Sequence, residues 1–157
     1  MRVPAISNRS QRGVSLIELV VVIAILLTLT AIAMPLAQVT AKREQEIELR
    51  RALRQMRSAI DAYKKMADQG LIELQVGSEG YPPDLETLVE GIYPVGQVNK
   101  VRFLRRIPFD PMTKSQQWGL RAYQDDPDAK SWSGQNVYDV FTRSGGVALD
   151  GTRYRDW

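Results

Sequence analysis

Two places in this chain hold residues whose types and spacing suggest chemistry. Near its start, Arg12-Gly13-Val14-Ser15-Leu16-Ile17-Glu18 sets a small residue between a short basic leader and an apolar run that carries one carboxylate. That arrangement suits a peptide bond cut after Gly13, with the new amino group of Val14 free to pair with a carboxylate. Further on, Asp125, Asp126 and Asp128 gather around Pro127. Neighbouring carboxylates can serve acid–base catalysis. These, however, stand in a polar loop, without the apolar surroundings that raise a carboxyl pKa for that work. The chain has no histidine and no cysteine. Ser-His and Cys-His nucleophile pairs are therefore excluded, as are a disulfide framework and a thiolate zinc site.

The charge is unevenly placed. The formal net charge is +3, from 21 basic and 18 acidic residues. Three of the basic residues, Arg2, Arg9 and Arg12, precede Gly13, and no acid does. Subtracting them, 21 minus 3, leaves 18 basic against 18 acidic residues. A chain trimmed at Gly13 is formally neutral, which removes the case for nucleic acid as a partner.

The groups at the start need a helix to position them. No charged residue lies between Glu18 and Lys42. Residues 14–37 would make about 36 Å of helix at ~1.5 Å per residue, against a hydrocarbon core of about 30 Å. Thr28 and Thr30 can bond back to carbonyls of their own helix. Three readings fit such a run. A cleaved secretory signal needs a shorter run and a small-x-small cut site, which Ala31-Ile32-Ala33 loosely offers. A plain signal anchor keeps the basic leader cytoplasmic and sends the rest outward. A processed anchor has the same topology and adds the cut at Gly13. Glu18 favours the third reading. A carboxylate one turn into a membrane helix costs about 3 kcal/mol if unpaired, and a plain anchor has no use for it. After the cut, Glu18 would pair with the amino terminus of a neighbouring subunit and fix the axial register between them.

The stretch Arg12-Gly13-Val14-Ser15-Leu16-Ile17-Glu18-Leu19 resembles the cleavage and methylation motif of type IV pilins and of the pseudopilins of type II secretion. The resemblance implies cleavage between Gly13 and Val14 by a membrane prepilin peptidase, and N-methylation of Val14. Val14 departs from the phenylalanine usual at that place. Pro35 matches a proline that the family tends to carry in the same helix. A mid-helix proline removes one hydrogen bond and clashes with the previous turn, so Pro35 marks a place where the helix can kink or locally melt.

From Lys42 the chain becomes highly charged, without Pro or Gly as far as Gln69. Leu49, Leu53, Met56, Ile60, Tyr63 and Ala67 recur in steps of four and three, which is one helical face. Glu46 with Arg50, and Asp61 with Lys65, have the spacing of i,i+4 ion pairs. Arg50, Arg51, Arg54 and Arg57 read as a solvated face, with contacts between subunits as the alternative. Gly70 stops the helix. The pattern predicts one helix from Val14 to Gln69, amphipathic over 38–69.

In residues 70–157, Tyr81-Pro82-Pro83-Asp84 turns into a short helix over 85–90, with Asp84 as N-cap and Gly91 as stop. Residues 71–76 read as a short extended segment and 92–101 as a loop. Residues 103–113 read as an extended turn around Ile107-Pro108-Phe109-Asp110-Pro111. Strand signals at 117–123 and 137–142 flank the acidic loop. The predicted fold class is α+β: a long N-terminal helix, membrane-spanning in its first half, packed on a small antiparallel sheet. That is the pilin fold.

The order of landmarks is Tyr81-Pro82-Pro83, Leu88-Val89, Pro108-Phe109-Asp110-Pro111, Trp118-Gly119-Leu120-Arg121-Ala122-Tyr123 and Val137-Tyr138-Asp139-Val140. It resembles the major pseudopilins of type II secretion more than type IV pilins, which commonly close their C-terminal loop with a disulfide. The resemblance also implies a calcium site in the loop 142–152, with Asp150 and Ser144 as its ligands here. Ser144-Gly145-Gly146 stands where the family usually has an aspartate. One carboxylate is few for an ion that takes six to eight oxygens, and Arg143 and Arg153 add repulsion. The alternative is a turn at Asp150-Gly151 in a loop that its glycines let close tightly.

Taken together, the resemblance implies a structural subunit that is not an enzyme. The leader 1–13 is removed, 14–37 lies in the inner membrane or a filament core, and 70–157 faces the periplasm. The N-terminus is cytoplasmic before processing. The implied partners are further copies of the chain in a filament, minor pseudopilins, the prepilin peptidase and an inner-membrane assembly platform. The implied function is export of folded proteins by a pseudopilus. The alternatives are a type IV pilin for motility, adhesion or DNA uptake and, from another class, a membrane-anchored periplasmic enzyme built on Asp125, Asp126 and Asp128.

Overall fold

Helix α1 runs over Leu16–Asp68 in a computed structural model of the chain, which describes residues 13–127, 129 and 131–157. The leader as far as Arg12, the side chains of 32–36 with that of Pro35, and residues Asp128 and Lys130 lie outside the described residues. The chain divides into two units, Met1–Thr40 and Ala41–Trp157.

In the first unit, α1 opens where Leu19 donates its backbone N–H to the Ser15 carbonyl at 3.1 Å. Leu16, Ile17, Leu19, Ile25, Leu26, Leu27 and Leu29 each expose more than half of their surface. These positions point to every side of the axis, and a helix that is apolar all round needs lipid or other helices around it. Thr28 and Thr30 return their hydroxyls to the carbonyls of Ile25 and Leu26, both at 2.8 Å. Neither hydroxyl therefore stays unpaired in an apolar setting. Among the described residues, no helix is long and apolar enough to cross a membrane. The expected span of 14–37 includes the side chains of 32–36, which are not described.

In the second unit the predicted stripe is the core. Leu49, Leu53, Met56, Ile60, Tyr63 and Ala67 are all buried, with Ala52 and Ala59 beside them. Each fully buried large apolar side chain contributes about 2 kcal/mol. The stripe packs in one cluster with Leu88 of the second helix and with Trp118, Val137 and Val140 around the sheet. The helix ends in a Schellman turn: Gly70 N–H reaches the Ala67 carbonyl at 2.9 Å, and Leu71 N–H the Met66 carbonyl at 3.1 Å. Gly70 takes φ +70° there, where an L side chain is disfavoured.

Helix α2 is Leu85–Glu90. Asp84 caps it as expected, accepting from Thr87 N–H at 2.7 Å and from its hydroxyl at 2.6 Å. Gly91 stops it at φ +79°, and a Cβ there would lie 2.3 Å from the Val101 carbonyl oxygen. This close approach lets Ile92 and Val101 form a bridge across what was expected to be a plain loop.

Strands β1 (Gly119–Arg121) and β2 (Asp139–Phe141) pair antiparallel, with Leu120 opposite Val140. Both are shorter than the expected 117–123 and 137–142, because the flanking backbone bonds elsewhere. Tyr123 N–H goes to the buried Asn136 side chain at 2.9 Å, and Val137 N–H to the Pro82 carbonyl at 2.7 Å. Residues 71–76 form no strand. Val95 N–H holds the Leu71 carbonyl at 2.9 Å, and a turn closes from Ser78 N–H to the Gln75 carbonyl at 3.1 Å. The second unit thus has an α+β fold, a long helix packed on a small two-stranded sheet, as in a pilin fold.

Candidate functional site

The first candidate site is the junction before α1. Gly13 and Val14 are exposed and precede the first helical residue, Leu16. A Cβ at Gly13 would meet nothing within 4 Å. A peptidase needs accessible backbone outside a helix, and this bond is exposed and lies before the first helical residue, Leu16. Glu18 is exposed in the first turn of α1, where the helix dipole favours negative charge. Among the described residues, no ion pair or hydrogen bond engages its carboxylate. Ser15 and Glu18 also have the spacing of a capping box. That local signal ties the carboxylate to the helix start as well as to the cut.

The second candidate is the loop 142–152 and the helix residues that hold it. Glu46 and Arg50 of α1 do not make the i,i+4 pair their spacing suggested, and Arg57, expected on a solvated face, is held in tertiary bonds. Glu46 Oε1 accepts the Leu149 N–H at 2.8 Å and the Tyr154 hydroxyl at 2.9 Å. Arg50 lies 3.5 Å from Asp150 Oδ2 and 4.0 Å from the centre of the Trp157 ring. Arg57 binds both carboxylate oxygens of Asp139, and also the carbonyls of Val140 and Trp157 at 3.2 and 2.6 Å. The predicted pairs of Glu46 with Arg50 and Asp61 with Lys65 are absent among the described residues. Tertiary partners outbid the first, while Lys64 pairs with Asp68 near the second. Of the basic cluster, Arg51 and Arg54 remain on the solvated face.

Tyr154 is buried, and its pKa is pushed up to about 12 by that burial and by its bond to Glu46. Asp150 has its pKa lowered, chiefly by the hydroxyl and backbone N–H of Thr152. Its Oδ1 accepts from both, at 2.6 and 3.0 Å. Ser144 Oγ accepts the Gly146 N–H at 3.2 Å. Asp150 therefore sits in a local turn facing an arginine, and Ser144 closes a turn of its own. A single carboxylate already engaged by two donors and a guanidinium does not fit the oxygen-rich shell calcium takes. Among the described residues, no group of three or more acidic, histidine or cysteine side chains is placed to hold a metal.

In the acidic loop, Asp125 Oδ2 accepts the N–H of Ala122 at 2.8 Å and of Ser133 at 3.4 Å. These bonds lower its pKa, the Ala122 N–H most. The carboxylate holds a turn together, and Asp128 lies outside the described residues.

Asp110 is fully buried, and nothing in the sequence reading singled it out. It accepts from Met112 N–H at 2.8 Å, Thr113 Oγ1 at 2.9 Å and Thr142 Oγ1 at 2.6 Å. The pattern Asp110-Pro111-Met112-Thr113, an aspartate feeding its own turn, is the signal that identifies it. Through Thr142 it anchors the entry to the loop 142–152.

Residues 8–34 match a family model described as the prokaryotic N-terminal methylation motif. No curated protein and no solved structure matches the chain. The match spans the exposed Gly13-Val14 junction, Glu18 and the start of α1, and it indicates prepilin processing of the type IV pilin-like kind, followed by filament assembly.

Proposed function

We propose that this chain is a structural subunit of a type II secretion pseudopilus. A prepilin peptidase cuts it after Gly13 and methylates Val14. Residues 14–37 hold it in the inner membrane, with 70–157 in the periplasm. It then polymerises with further copies and minor pseudopilins on an inner-membrane platform, and the growing filament drives export of folded proteins. It performs no bond-making chemistry itself.

The observation that carries this reading is Glu18. Its carboxylate has no partner among the described residues, yet it opens a helix that is apolar on every side. A neighbour's amino terminus would neutralise it, and the neighbour's helix would cover the apolar surface. The preference for a pseudopilus over a type IV pilin rests on the C-terminal loop. It is closed by Glu46, Arg50 and Asp150 in a chain without cysteine. In this reading the same contacts replace calcium.

Deleting the gene and assaying folded-protein release and surface motility in one strain tests the proposal. Loss of release with intact motility is expected. Loss of motility with normal release would assign the chain to a type IV pilus. Unchanged assembly in Glu18→Leu would remove the pairing role of Glu18, and a parent chain that forms no filament would remove the filament reading altogether.

A further inference from the structure

Where β1 and β2 meet the start of the loop 142–152, the second unit has a pocket of about 390 Å³. Arg143 and Arg155 line it, and among the described residues no carboxylate does. Leu120, Trp132, Phe141 and Gly145 are also on its wall. The acids nearby are engaged or lie off that wall. Asp139 binds Arg57 and stands 3.9 Å from Arg121. Asp125 holds the N–H groups of Ala122 and Ser133. Asp156 follows Arg155 in sequence but does not line the pocket. Asp128 and Lys130, outside the described residues, are opposite in charge and cancel formally.

Both arginines are held in place by something other than an acid. Arg143 donates from Nε to the Trp118 carbonyl at 3.1 Å. Its two Nη groups have no acceptor among the described residues. The Arg155 guanidinium lies 5.9 Å from the centre of the Phe141 ring, an attraction that uses none of its N–H donors. Phe141 packs over Gly119, where a Cβ would lie 2.3 Å from the ring. Trp132 is fixed by its indole N–H on the Asn136 carbonyl at 2.7 Å, and 37% of its surface stays exposed. The Gly145 N–H has no acceptor among the described residues.

Two guanidiniums with open donors and no acid beside them attract an anion, and their planar forks match a carboxylate. Side chains already fixed lose little freedom on binding. The volume is more than a lone ion needs and falls in the range of roughly 300–1,000 Å³ that ligand pockets occupy. Leu120, Phe141 and Trp132 give it walls for an apolar side chain. We propose that this pocket binds an acidic peptide segment of a partner protein, in which a carboxylate stands beside an aromatic side chain. The carboxylate lies between Arg143 and Arg155. The Gly145 N–H takes a peptide carbonyl, and the aromatic side chain covers Phe141 and Trp132. Arg143, which counts against a cation in this loop, thus serves an anion. The site lies wholly in the second unit and does not depend on the filament reading.

Full-length chain in detergent would be titrated by calorimetry with the peptide acetyl-Gly-Phe-Glu-Gly-amide. Saturable binding at one site, with a dissociation constant below a millimolar, is expected. The counterpart with glutamine in place of glutamate should bind at least tenfold more weakly. Arg155→Gln should weaken the glutamate peptide by a similar factor. Arg155 is exposed and makes no hydrogen bond through its side chain among the described residues, so that variant should melt as the parent does. Arg143→Gln should weaken binding too, though it also removes the bond to Trp118. No binding at millimolar peptide would overturn the proposal, as would equal affinity for the two peptides or full affinity in Arg155→Gln. Displacement of the peptide by an equal concentration of inorganic phosphate would mean a simple anion site and would overturn the peptide assignment. Dimers of the chain that Arg155→Gln dissolves would give the pocket to a second copy and overturn it as well.

Discussion

Arg57 and Asp139, 82 positions apart in sequence, form a two-point pair, Nε to Oδ1 at 2.7 Å and Nη2 to Oδ2 at 3.2 Å. The same Nη2 also reaches the carbonyls of Val140 and Trp157. One guanidinium thus ties α1 to β2 and to the last residue of the chain at once. Because the planar fork matches a carboxylate edge, Arg57→Lys should not rescue it. We expect Arg57→Ala to lower stability by about 2 kcal/mol and Arg57→Lys to recover less than half of that. Thermal melting of the detergent-solubilised chain decides this, and a lysine variant as stable as the parent would refute the fork's role.

The Glu46–Tyr154 contact gives an alkaline signature. The Tyr154 phenol is held protonated to about pH 12 in the fold, against about 10 in the unfolded chain. Between these values the unfolded state has released a proton that the folded state keeps. Stability from this group is therefore full below pH 10 and lost as pH rises from 10 to 12. Tyr154→Phe should flatten that decline, as followed by melting temperature across the range. An unchanged slope would place the titration elsewhere, with Tyr63 and Tyr81, also raised mainly by burial, as the next candidates.

Asp110 is the buried polar centre of the domain. Asp110→Ala strands the Thr142 hydroxyl and the Met112 N–H, while the Thr113 hydroxyl keeps Ser115 Oγ at 3.0 Å, and should cost about 3 kcal/mol. Hydrogen exchange should then speed up at Ser144, whose N–H is held 3.1 Å from Thr142 Oγ1. Protection at Ser144 equal to that of the parent chain would contradict the link.

Glu18→Leu should leave the domain folded and abolish filaments, because the substitution is exposed and more than twenty residues from the second unit. Electron microscopy of membranes, with melting of the same preparation, separates assembly from folding. Glu18→Gln keeps the size and loses the charge. Filaments from that variant would show that charge is not what matters.

Calcium should have little effect. With Asp150 bonded to Thr152 and facing Arg50, chelator should move the melting temperature by less than a degree, whereas Arg50→Ala should lower it. A rise of several degrees on adding millimolar calcium would restore the ion to the loop.

What the sequence revealed was what local pattern can carry. The stripe from Leu49 to Ala67 follows from helical period, and α2 from the reach of Asp84 to Thr87. The junction at Gly13 follows from charge and hydropathy. The strands were overextended because alternation reports which side chains are inward but not where backbone N–H groups go. Tyr123 and Val137 find partners outside the ladder. Glu46 and Arg50 were misassigned to each other for a related reason. An i,i+4 pair on a helix surface yields only a few tenths of a kcal/mol, and loop partners about a hundred positions away offer more.

Those distant partners also set an order of events. Glu46 waits for Leu149 and Tyr154, and Arg50 for Asp150. Contacts of such sequence separation form late, after most loop-closure entropy has been lost. Synthesis proceeds from the N-terminus, so the apolar start of α1 is available to a membrane long before the loop that completes the domain exists. The amphipathic stretch that follows must remain with its core face uncovered during that interval. In the proposed function, insertion therefore precedes folding, and each subunit becomes competent to join its neighbours only after its final residues have arrived.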